Sequence, residues 1–300
     1  MIEKDERKIK KNFGKLASIF LIYEIGLLYV KFFLSQDFIE EIAYNQNYTM
    51  ESLDLLISGG IILVLSLILI VCLKLLNKNP NLKYDALKLT AIDFITLLLM
   101  VIASSLFMNY LMSEMFNYVG DSKTLLLPIG ILARFDTSSP IYIIYVLLLF
   151  PIMEIIIYFN LLINYLKRYG FRFAIMVSAL IFALAHNDFS YFFPAFILGY
   201  LLATITVRYN SYLPALLIYI LNNCFFYLPY VIDSSLYWLL VISVFIIFML
   251  GAYFVFIRGK FQMQFSYKFY NRAIYLFYTN PLVVLMIVIF IAGNLLEKFL

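Results

Sequence analysis

The chain has 300 residues, of which 64% are hydrophobic and only 13% charged, whereas soluble domains run near about 45–50% apolar and 25% charged. A mean hydropathy of +0.94 excludes an ordinary soluble domain, and 11 Gly, 8 Pro and 2 Cys exclude collagen-like, disordered and disulfide-stapled chains. The net charge of +4 is too small and too spread to indicate nucleic acid, which leaves an all-α polytopic membrane protein.

A span needs about 20 mostly apolar residues to cross roughly 30 Å of hydrocarbon. In chain order, such runs fall near 14–35, 54–76, 89–113, 140–166, 172–189, 191–207, 212–230, 236–257 and 281–297. This predicts about eight or nine transmembrane helices, the fifth and sixth short and divided by the polar stretch from His186 to Ser190. The organisation reads as N-terminal helices over 1–139, a core over 140–230 and C-terminal helices over 231–300. Counting Lys and Arg by loop gives the orientation. With the N-terminal segment cytoplasmic, 18 of the 22 basic residues lie on the inner side, and only Lys31, Lys123, Arg134 and Lys298 lie outside.

The first apolar stretch is too long for a signal-peptide core and reads as an anchor. Between Arg258 and Thr279, basic residues alternate with Tyr and Phe, the composition of an amphipathic helix lying in the headgroup plane. Cys72 and Cys224 sit in apolar runs and read as small hydrophobes. A bacterial plasma-membrane protein is the expected setting, and the bilayer the first expected partner.

Ionisable side chains inside a bilayer are costly and mark function by default. Four qualify: Glu24, Asp93, Glu154 and His186. Asp93 is five residues from Lys88 and reaches the interface, while Glu24 lies deeper without an evident partner. Glu154 is 13 residues from Lys167, His186 is 14 from Arg172, and Asn223 is 13 from Asn210. At 1.5 Å per residue, all three sit roughly 20 Å from the inner surface, so three spans share one polar layer. A satisfied structural network and a reaction site both fit that layer.

The residues of this layer lie in a recognisable pattern. Pro151-Ile-Met-Glu154-Ile-Ile-Ile-Tyr158-Phe159 stands where a Glu-Glu-x-x-x-Arg motif would fall, Phe182-Ala-Leu-Ala-His186 fits Phe-x-x-x-His, and Tyr219-Ile-Leu-Asn222-Asn223 fits His-x-x-x-Asn. Over roughly 140–230 the sequence resembles the CPBP intramembrane proteases, a family that includes CAAX prenyl proteases, bacteriocin-processing and self-immunity proteins and lysostaphin-resistance-type proteins. The resemblance implies that Glu154 activates water with help from His186, and that Tyr219 and Asn223 face the developing oxyanion. Three positions depart from the pattern: Ile155 replaces the second glutamate, Phe159 the arginine and Tyr219 the histidine.

With a single histidine in the chain, no bound metal or other cofactor is expected. A catalytically weakened relative that binds a membrane peptide or partner protein is the leading expectation, in bacteriocin self-immunity or envelope scaffolding. An active endopeptidase using Glu154 and His186 is the alternative. A transporter with helices broken at Pro151, Pro194 and Pro214 is a third reading, weakened by the absence of an internal repeat.

Overall fold

The computed structural model describes residues 2–33, 50–77, 87–119, 143–186, 189–228, 234–257 and 270–296. These form ten helical elements: α1 (Ile2–Phe33), α2 (Met50–Leu76), α3 (Ala91–Val119), α4 (Ile144–Tyr169), α5 (Phe171–Leu184), α6 (Phe189–Tyr209), α7 (Leu213–Tyr227), α8 (Ser234–Ile257), α9 (Tyr270–Tyr278) and α10 (Pro281–Leu296). No strand occurs among the described residues. The protein is an all-helical, polytopic membrane protein.

Five of these helices are long and apolar enough to cross a bilayer, or six if the bent pair α9–α10 counts as one. Two of the expected runs fold as shorter helices among the described residues. The run at 172–189 folds as a helix of only 14 residues, and that at 212–230 as one of 15. The first stops because the chain turns at Ala185 and His186. The second starts after Asn210, whose left-handed φ of 47° reverses the chain from α6. Gly170, at φ 123°, makes the equivalent turn between α4 and α5, a conformation that suits a residue lacking Cβ.

Helix surfaces here are apolar on both sides. On α2, Leu69, Ile70 and Leu73 are buried while Val64, Leu67, Ile68, Val71 and Leu75 form an exposed stripe. Such a stripe is stable only against lipid. Inside the bundle, burial cannot discriminate between helices as it does in water, so close packing holds them together. Helices α5 and α6 approach backbone to backbone, where a Cβ on Gly199 would stand 2.8 Å from the Phe182 ring and 3.3 Å from the Ala179 backbone. Gly26 against Leu65 and Gly293 against Leu28 seat α1 on α2 and α10 in the same manner.

The helix α4 is not a regular α-helix. It runs as π-helix over Ile144–Leu149, α over Phe150–Glu154, π again over Ile155–Leu162, α over Ile163–Leu166 and a last 3₁₀ turn over Lys167–Tyr169. Pro151 lacks an N–H and falls in the short α segment. The wider ladder before it, with the Phe150 N–H bonded to the Tyr145 carbonyl five residues back, is a known way to re-satisfy backbone groups near a membrane proline. Of the other two prolines read as possible helix breaks, Pro194 lies buried inside α6, whereas Pro214 sits in the first turn of α7 and interrupts nothing.

Asp93 proves to be a cap. The Thr90 hydroxyl accepts from the Asp93 N–H at 3.1 Å while the Asp93 carboxylate accepts from the Thr90 N–H and hydroxyl at 3.3 and 2.7 Å. This is a capping box that opens α3.

Of the expected interfacial segment, residues 258–269 lie outside the described residues, and 270–278 form α9. Its Ala273, Leu276 and Phe277 are buried while Arg272, Tyr275 and Tyr278 face outward. Phe277 packs on Phe13 and Phe173 at 5.5 and 5.8 Å, and Arg272 pairs with Glu6. Asn280 then caps α10 by accepting from the Leu282 N–H at 3.0 Å, while its amide donates to the Lys10 carbonyl at 2.8 Å. The chain bends by 61° there.

If the α5–α6 approach organises the bundle, Gly199→Ala lowers stability by about 1–3 kcal/mol, because the added methyl overpacks against Phe182 and the α5 backbone. Gly60 has nothing within 4 Å of its Cβ position, so Gly60→Ala is neutral or stabilises by up to about 1 kcal/mol. Reversible unfolding in mixed micelles compares the two, and equal effects would contradict the packing argument.

Candidate functional site

Three helices deliver the polar residues. Glu154 ends the short α segment of α4, between its two π runs. His186 lies on the turn just past α5 and not within a span as its run suggested. Tyr219 and Asn223 lie four residues apart on one face of α7.

The structure brings Glu154, His186 and Tyr219 into contact. The Tyr219 hydroxyl donates to Glu154 Oε2 at 2.6 Å, within the short range expected of an O–H to a carboxylate. Glu154 Oε1 lies 3.9 Å from His186 Nε2, with side-chain exposures of 20% for the glutamate and 4% for the histidine. His186 Nδ1 lies 2.8 Å from the Phe182 carbonyl. Because a carbonyl only accepts, that bond places the hydrogen on Nδ1 and turns Nε2 toward the carboxylate.

Asn223 is buried beside the Tyr219 hydroxyl. Neither its Oδ1 nor its Nδ2 reaches a partner at hydrogen-bonding distance among the described residues. Its neighbour Asn222 is also buried, with Oδ1 similarly unmatched. The Tyr219 hydroxyl is thus engaged with the Glu154 carboxylate, with Asn223 one turn along the same face of α7.

Aromatic rings hold the histidine. Phe182 meets the imidazole edge-on at 4.6 Å and Tyr191 of α6 approaches at 5.1 Å. Phe182 in turn packs on Phe159, Tyr158 and Tyr219 at 5.2, 5.4 and 6.2 Å. Ile155 and Phe159, which replace two motif charges, have no exposed surface. They fill their places as core, and Phe159 acts through Phe182 to fix the imidazole. Tyr158, Tyr191 and Asn222 were not singled out from the sequence as site residues. The four-residue step from Glu154 to Tyr158 was a usable signal, whereas nothing in the sequence ties Tyr191 to His186.

Among the described residues no three His, Cys, Asp or Glu side chains gather as a metal site would require. Cys72 and Cys224 are unbridged and half-buried. Chemically, the arrangement offers one carboxylate with a fixed donor on one oxygen and an imidazole nitrogen near the other, plus an amide pair one turn away.

Double-mutant analysis tests the Tyr219–Glu154 bond. Tyr219→Phe costs about 1.5–3 kcal/mol, the range for hydrogen bonds to charged groups. Combined with Glu154→Ala, it shows a coupling of about 0.5–3 kcal/mol in reversible unfolding. Strict additivity would mean that the bond does not form in the bilayer.

Comparison with known proteins bears on residues 136–225, which match the family model described as type II CAAX prenyl endopeptidase Rce1-like. The match spans α4 to α7 and contains every residue of the cluster. The protein is thus similar over this segment to CAAX-type membrane proteases, as its motifs led one to expect. No curated protein matches the chain, and no solved structure does.

Proposed function

We propose that this CAAX-protease-like membrane protein binds a membrane-embedded peptide at the Glu154–His186–Tyr219–Asn223 cluster and hydrolyses it only slowly. One observation carries the reading: the Glu154 carboxylate has one oxygen held by Tyr219 at 2.6 Å and the other 3.9 Å from an imidazole nitrogen. A carboxylate so fixed can take a proton from a water seated against Oε1 and Nε2, and general-base catalysis needs that geometry before anything else.

What weakens the chemistry is the rest of the inventory. The Tyr219 hydroxyl donates to the carboxylate and is not free for a substrate carbonyl. Asn223 is then the donor left for a developing oxyanion, and losing one such donor costs about 10²–10³ in rate. Ile155 and Phe159 support the site by packing and bring no charge to it. Binding is favoured by the buried amides of Asn222 and Asn223, which offer donors and acceptors to an extended peptide backbone. Self-immunity against a membrane-active peptide, or capture of an envelope protein, would use such a site without fast turnover. The Lys and Arg distribution supports a cytoplasmic N-terminus, and the proposed setting is a bacterial plasma membrane.

The test uses a quenched fluorescent transmembrane peptide library with the full chain in nanodiscs. Saturable binding with slow cleavage is expected. Glu154→Gln abolishes cleavage and preserves binding, while Ile155→Glu, Phe159→Arg and Tyr219→His together raise the rate, by roughly 10²-fold if an oxyanion donor is restored. Fast cleavage by the native chain would overturn the weakened-enzyme reading, and absence of both binding and cleavage across the library would overturn the site.

A further inference from the structure

One side of α1 carries a line of exposed residues that belongs to no motif. Lys8, Lys15, Ile22 and Tyr29 recur every seven positions, so they follow nearly one line along the helix. All four are exposed. Ile22 at 67% and Tyr29 at 58% form its apolar half, while Lys8 and Lys15, with the exposed Lys11 between them, form its N-terminal half. A line that is cationic at one end and apolar beyond it matches the chemical profile of an anionic phospholipid.

Contacts within the bundle fix a fourth cation beside that line. On α1, Asn12 lies one turn from both Lys8 and Lys15. Its side-chain amide donates to the Tyr169 hydroxyl at 3.2 Å, and its carbonyl accepts from the Tyr165 hydroxyl at 3.1 Å. The Arg168 guanidinium lies over both of these rings, 3.8 Å from the Tyr165 centroid and 5.0 Å from that of Tyr169. Two rings and two hydrogen bonds thus tie an exposed cation of α4 to the stretch of α1 that carries the lysines. A guanidinium laid on a ring keeps in-plane N–H donors for a phosphate. Glu6 does not neutralise the line, because it pairs with Arg272 of α9.

The neighbouring helix adds an apolar wall. Helices α1 and α2 run antiparallel, joined by the Tyr23–Ser66 hydrogen bond at 3.2 Å and by Leu65, which fills the space beside Gly26. That pairing brings Ile22 and Ile68 to one level, and both are exposed. Lys74 and Lys15 also share a level, each eight residues from the Tyr23–Ser66 bond. Lys74, however, is nine residues from Leu65, which puts it on the face of α2 turned away from α1.

We propose that the N-terminal part of α1 and the C-terminal end of α4 form a binding site for one anionic phospholipid. Lys8, Lys11, Lys15 and Arg168 hold its phosphate, and an acyl chain lies between Ile22 and Ile68. The occupant is a lipid and not a free phosphate, because the line continues into apolar side chains that a soluble anion leaves uncovered. Its headgroup carries net negative charge, since a zwitterion would bring its own ammonium among four cations. Arg168 is 14 residues along α4 from Glu154, about 20 Å, so this site stands apart from the proposed peptide site.

The experiment is native mass spectrometry of the full chain in detergent micelles titrated with phosphatidylglycerol, with phosphatidylcholine and inorganic phosphate as comparison probes. One phosphatidylglycerol is retained, phosphatidylcholine binds at least about tenfold more weakly, and inorganic phosphate in excess does not displace the lipid. Lys8→Gln and Lys15→Gln each weaken retention about fivefold and together about 25-fold, since each basic side chain near an anionic headgroup contributes on that order. Arg168→Lys keeps the charge but loses the stacked fork, and falls between the native chain and Arg168→Ala. Lys74→Gln leaves retention unchanged. Equal retention of the two lipids or displacement by inorganic phosphate would overturn the site. An equal loss in Lys74→Gln would overturn it too, by showing a diffuse field in place of a defined contact. The lysines are exposed, so their variants carry the test even if Arg168→Ala fails to fold.

Discussion

A carboxylate among hydrocarbon side chains has to be satisfied by its own protein, and much of this structure is arranged around meeting that demand at Glu154. The Tyr219 hydroxyl supplies the direct bond, which ties α4 to α7. The imidazole at the other oxygen ties in the turn after α5. That imidazole is aimed by the Phe182 carbonyl and ring, and Phe182 is pressed in place by Gly199 of α6. One charge-bearing group thereby links four helices, and the aromatic packing around it serves to keep the geometry and not merely to fill volume.

The two substituted motif positions fit the same logic. A glutamate and an arginine at 155 and 159 would form an i, i+4 ion pair. Isoleucine and phenylalanine occupy those positions with no exposed surface, a replacement that buried ion pairs often tolerate without loss of stability. The apolar pair holds Phe182, and through it the imidazole, but it carries no field to the reaction centre. Fold and chemistry are separable at these two residues, which is why the segment can match a protease family and still be proposed as a slow enzyme.

The membrane class and most helix positions were legible because apolar runs of span length have few alternatives in lipid. The depth argument also put Glu154, His186 and Asn223 in one layer, and the structure places Glu154 beside His186, with Asn223 one turn along from Tyr219. Three things were not legible. Apolar length could not reveal that α7 is a helix of 15 residues starting after a reversal at Asn210, whereas the polar stretch at His186 did mark the end of α5. The π-helical runs of α4 follow from a backbone adjustment near Pro151 whose register no side-chain pattern announces. The direction of the Tyr219 hydroxyl depended on which group came within reach after packing. Glu24 was visible as an oddity from the start, but the face it shares with Phe20 meets α4 through the Phe20–Tyr158 stack, a contact between helices that no sequence pattern announces.

The shortness of α7 has a consequence for the surrounding lipid. At 1.5 Å per residue its 15 residues cover about 22 Å, against a hydrocarbon thickness of about 30 Å. The similarly short α5 is better shielded, since ten of its 14 residues are buried in protein. On α7, however, Leu213, Leu217 and Leu221 form a stripe open to the bilayer. Lipids along that stripe must compress or tilt to match it, at a fraction of a kcal/mol per ångström of mismatch. A helix this short favours local thinning of the bilayer along that stripe. Acyl-chain length becomes a thermodynamic variable of this protein, and thinner bilayers are the ones in which its site helix is least strained.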